Sequence, residues 1–266
     1  DDNSSFYGLN AGVLAASAGR VILNGGTIST SGTGANGAFA TGSESAVTLN
    51  NVTITATGDG GHGVMATQGG TIALTGVDIT TSGANAAPIA TDRGGGTITA
   101  SGGTIITSGQ DSPCYSSTGV LDITDGACSA TGAEAVVIEG SNSVILTDSA
   151  LTTGVAGKWG VLTYQSFSGD VTGSDGVFTM TGGSLSATDA NSPLFYVTNT
   201  TGNITLKGVQ LSAASETLLS AEGNDRWGVS GANGGTVNFT ADAQILTGNF
   251  AADNLSNLNV TLMNAS

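Results

Sequence analysis

Basic charge is almost missing from this chain. Five Lys plus Arg stand against 20 Asp plus Glu in 266 residues, a net charge of −15. So few cations cannot neutralise a phosphate backbone, so nucleic acid is not expected as a partner. Anionic membrane surfaces are disfavoured for the same reason. Long apolar runs are lacking too: none approaches the ~18 residues of a membrane span. Proline occurs only 3 times. No window places apolar residues at helical spacing, so almost no helix is expected. Histidine is limited to His62. Ser/His/Asp catalysis therefore has one candidate base and no G-x-S-x-G elbow, and a His/Cys metal site fails on ligand count. No cofactor is implied.

Glycine, at 43 residues, is what the chain has in quantity, together with Thr, Ser, Val and Ile. Residues 45–69, SAVTLNNVTITATGDGGHGVMATQG, hold three short apolar alternations. Val47 and Leu49 line one face of a first strand, Asn50 and Asn51 break it, Val52 and Ile54 continue, and Val64 and Ala66 form a third alternation after a glycine-rich corner. Such a unit cannot close a core alone, but stacked copies can.

The copies recur. The first strand reappears at Val21, Ile72, Ile98, Leu121, Val144, Phe178, Ile204, Val237 and Val260. The second returns at Ile28, Ile79, Ile105, Cys128, Leu151, Leu185 and Leu211, and slips by one residue at Ile245. The third returns at Val13, Ala38, Pro88, Cys114, Val136, Val161, Leu194 and Leu218. The expected fold is therefore an all-β, single-stranded right-handed parallel β-helix of about ten coils, three short strands per coil. One domain spans 1–266: an irregular first coil at 1–19, regular coils over 20–162, loop insertions at 163–176 and 221–235, and an uncapped last coil at 254–266. Phe6 and Tyr7 are placed to cover the open first coil.

Cys114 and Cys128 fall inward on neighbouring coils, so a disulfide is sterically possible; the plainer reading is two small core residues. Coils five and six are expected to expose acids at Asp111, Asp122, Asp125, Glu134 and Glu139. Aromatics and cations gather in or beside the two insertions, at Lys158, Trp159, Tyr164, Phe167, Arg226 and Trp227. They form a candidate binding or contact patch, or else rings that pin long loops to the rod. Two G-x-G-x-x-G matches, at Gly32 and Gly58, lead into strands rather than helices and read as corners. His62, in Gly61-His62-Gly63, invites comparison with β-helix polygalacturonases. No cluster of aspartates or downstream basic pair accompanies it, so it reads as a surface corner residue and no catalytic residue is assigned.

Coils such as GGTISTSGTGANGAFATG and NNVTITATGDGGHGVMATQGGTIALTGVDITTSG resemble the pectin-lyase-like right-handed β-helix repeats of surface adhesin-like proteins, over almost the whole chain. The resemblance implies export and a role at the cell surface. The polar DDNSS start reads as a mature chain whose signal peptide is gone. The expected function is a non-enzymatic, extracellular structural or adhesive component of a surface, sheath or filament. Its partners would be further copies, by end-to-end or lateral contacts, or other surface components including glycans. The alternative is a carbohydrate-binding protein or a degenerate polysaccharide lyase or hydrolase.

Overall fold

The computed structural model of the chain describes residues 2–167 and 171–266, without the side chains of 2–4. Asp1 and residues 168–170, the centre of the 163–176 insertion, lie outside the described residues. The fold is a right-handed parallel β-helix of three sheets. The first-strand sheet stacks ten strands, from Arg20–Asn24 to Asn257–Met263, and the third-strand sheet ten more, from Val13–Ala16 to Asn249–Ala252. The second-strand sheet holds eight, from Thr27–Thr30 to Gln210–Ala213.

Each corner has its own backbone chemistry. Between the first and second strands a residue adopts positive φ in every coil: Gly25, Asn51, Gly76, Gly102, Asp125, Asp148, Gly182, Gly208 and finally Ala243. Glycine, Asn and Asp tolerate this left-handed conformation best, so the Asn50-Asn51 break is a sharp turn and not a gap. At the corner before the third strand, Gly32, Gly58, Gly83, Gly109 and Gly132 form a column. A Cβ on any of the last four would run into the carbonyl of the glycine one coil below. There the backbones touch, and only glycine fits.

Inside, like stacks on like. Val47, Ile72, Ile98, Leu121, Val144, Phe178, Ile204 and Phe239 follow one another in register and are buried. Each such side chain contributes roughly 1.5–3 kcal/mol by leaving water. Cys114, just before strand Tyr115–Ser117, and Cys128, in strand Ala127–Ala130, are joined by a disulfide with Cα atoms 6.3 Å apart.

Several expectations need correction. Ile204 pairs with Phe239, not Val237; Val237 sits opposite Gly202. A shift of two residues keeps every side chain on its face, so the alternation alone could not detect it. In the third strand the stacked residues are Ile89, Tyr115, Phe195 and Leu219, one place after Pro88, Cys114, Leu194 and Leu218. Ile245 is in no strand and is 84% exposed. Its neighbour Gln244 is buried instead: its side-chain amide accepts from Val209 N and donates to Val209 O, both at 2.7 Å. This side-chain amide thus satisfies the backbone of Val209, the residue just before the last strand of the second sheet. Glu134 is not an exposed acid but is buried. Finally, Asp2–Tyr7 is a short helix, α1. Phe6 lies not over the open first coil but on the flank, packed against Phe39, Met65, Ala87 and Ala90.

Candidate functional site

The third-strand sheet has an outer face as well as an inner one. Register places Leu14, Phe39, Met65, Ala90, Ser116, Val137, Leu162, Tyr196, Ser220 and Ala251 along that outer face. Several of these are apolar and buried, so this flank is covered by other parts of the chain. At one end the cover is α1. Thr67 Oγ1 and Asn36 Nδ2 donate to the carbonyls of Phe6 and Ser5, and the Arg93 guanidinium lies 4.2 Å from the centre of the Phe6 ring.

At the other end the cover is the predicted patch. Trp159 stacks on Tyr196 with ring centres 4.1 Å apart, and Tyr164 meets Trp227 at 4.5 Å. Arg226 lies 4.7 Å from the centre of the Trp227 ring. The backbone N–H groups of Arg226 and Trp227 both donate to Asn224 Oδ1, which fixes the loop that carries them. Tyr164 donates to Glu139 Oε2 at 2.8 Å, and Ser166 hydrogen-bonds the other carboxylate oxygen. Burial, with Glu139 beside it, holds the Tyr164 phenol above its ordinary range. The patch residues therefore share one flank, but their rings face other rings of the chain. Phe167 differs: it points outward and is 65% exposed.

Lys158 has two partners. Its Nζ contacts Asp111 Oδ1 and lies 3.5 Å from Glu134 Oε1. The Lys158 hydrogen bond holds the Asp111 carboxyl below the usual range, while burial raises that of Glu134. The Arg226 charge adds a smaller pull in the same direction at Asp111.

Between the two covers lies a cleft of about 270 Å³, lined by Phe6, His62, Asn85, Asp92, Asp111 and Ser116 among others. His62 is half-buried at its edge. Its backbone N–H donates to Asn36 Oδ1 at 2.8 Å, and its Nδ1 lies 3.2 Å from Ala87 O. Burial pushes its pKa down to about 4, the Ala87 carbonyl opposing. The unfolded chain therefore binds more protons between the ordinary 6.5 and about 4, and stability should fall as pH drops through that window. Urea midpoints at neutral pH and near the lower end measure this; His62→Gln should lose less stability than the wild type over the same interval.

Sequence reasoning found the aromatic half of this flank from local composition. It missed α1, the cleft, and the pairing of Lys158 with Glu134, because those partners meet only once the coils stack. No family model, curated protein or solved structure matches the chain.

Proposed function

We propose that this chain is an exported, non-enzymatic β-helix of the pectin-lyase-like, surface adhesin-like kind, serving as a structural or adhesive part of a cell surface, sheath or filament. The observation that carries this reading is the buried Cys114–Cys128 bridge, which ties one coil to the next inside the core. Such bridges persist in oxidising compartments, outside the reducing cytosol. The outer surface supports the reading. On the second-strand sheet Ser29, Thr55, Thr80, Ser129, Thr152, Ser186 and Ser212 follow one another, interrupted by Ile106. On the first-strand sheet Asn259 donates to Asn238 and Asn238 to Asn203. Long rows of uncharged polar groups suit many weak contacts along a rod, with further copies or with other surface components.

Electron microscopy of the native material tests the reading. Fibres or laterally packed rods outside the cell are expected; a dispersed cytoplasmic protein overturns it. The second reading, glycan binding or residual polysaccharide chemistry, is favoured by the cleft that joins His62, Asp92 and Asp111 beside the aromatic flank. It predicts retention on a polysaccharide column that Trp227→Ala weakens, or turnover that His62→Ala abolishes.

A further inference from the structure

Lys158, Asp111 and Glu134 come from three successive coils and meet on the flank. Asp111 sits in a tight corner at φ 54, its N–H donating to Gly132 O. Its Oδ2 accepts from Gln110 Nε2 at 3.3 Å, while its Oδ1 contacts Lys158 Nζ. Lys158 closes a turn onto Val155 O, and the next residue, Trp159, is stacked on Tyr196. Glu134 Oε1 lies 3.5 Å from the same Nζ, on a side chain only 4% exposed. A surface ion pair needs one acid. Burying a second carboxylate is costly, and the Lys158–Asp111 pair does not require it.

We propose that Lys158 and Asp111 close an intramolecular isopeptide bond, with Glu134 as the proton carrier. The ammonium first gives one proton to Glu134, the more basic of the two carboxylates, which passes it to Asp111 Oδ1. The free amine then attacks Cγ, and the negative charge gathers on Oδ2 against the Gln110 amide. Glu134 takes the second proton from Nζ and returns it to Oδ1, which leaves as water. Ammonium and carboxylate become an amide and one water; Glu134 ends as it began, and no oxidant or reductant is consumed. Held contact removes the entropic cost of bringing the two groups together. Burial raises the Glu134 carboxyl, which makes it a better base than an exposed glutamate.

The test is the intact mass of the purified chain, reduced and denatured, followed by tryptic digestion. The expected mass is that of the sequence short by one water. Trypsin does not cut after an acylated lysine, so a single 94–207 peptide should replace 94–158 and 159–207. Glu134→Gln should close the bond about 100-fold more slowly or worse, and Asp111→Ala should keep the full mass and the cut after Lys158. A wild-type chain of full sequence mass overturns the proposal, whether or not the variants fold. So does a chain short of one water that trypsin still cuts after Lys158, which is a succinimide at Asp111. Closure of Glu134→Gln at the wild-type rate overturns the role of Glu134.

Discussion

Phe195→Ala is expected to lower the unfolding free energy by about 3–5 kcal/mol, the range for truncating a buried phenylalanine. The ring is fully buried and is the centre of an aromatic series across the core. It meets Phe178 at 5.8 Å and Phe239 at 6.0 Å, both edge-on, and Phe239 meets Phe250 at 5.2 Å. Each such edge contact is worth roughly 0.5–1.5 kcal/mol beyond burial. The cavity left behind cannot collapse easily, because hydrogen-bonded ladders hold the coils at a fixed spacing of about 4.8 Å. Urea denaturation followed by circular dichroism reads the loss as a lower midpoint. A change under ~1 kcal/mol would mean that the core repacks around the gap or that the ring is not at its centre.

Gly109→Ala should be nearly as damaging, although it adds a single methyl. The new Cβ falls on the Gly83 carbonyl and close to Ser112 Oγ. Backbone cannot swing aside as a side chain does, so the coils must part. Parting them weakens the bonds from Asn85 N to Gln110 O and from Ser108 N to Thr81 O. Overpacking of this kind costs about 1–3 kcal/mol, and broken ladder bonds add about 1 each. Gly32→Ala is the matching control. It lies in the same column, but a Cβ there meets only the Ala35 methyl, at 3.6 Å. It should be neutral or stabilising by up to ~1 kcal/mol through the unfolded chain. Equal melting temperatures for the two variants would refute the close approach of the coils.

The sequence made the first and second strands legible and the third much less so. In strands such as Ala46–Asn50 and Thr53–Ala56, inner and outer residues differ in polarity, so the alternation marks the register. In the third-strand sheet Val64–Thr67 and Phe195–Thr198 are buried on both sides. An apolar run without alternation leaves the register free by one residue, so the pattern reads Leu194 in the seat that Phe195 fills. That double burial is also where the candidate site lies. The covering pieces, α1 and the two insertions, carry no periodic signal. Trp159 and Trp227 were conspicuous because aromatics are rare here, whereas Glu134 looked like any acid until stacking enclosed it. Gln244 is similar: nothing local distinguishes an amide that pairs with a buried backbone, as it does with Val209, from one that faces water.

The covalent tie between Cys114 and Cys128 matters when the rod is pulled. Under tension a solenoid pays out its thread turn by turn, and each turn released lengthens it. The bridge spans a separation of 14 residues. At an extended reach of ~3.3 Å per residue it withholds roughly 45 Å of contour from any stretching force. Tension arriving from either end is passed from sulfur to sulfur, and the strands between the two cysteines stay unloaded while their neighbours peel away.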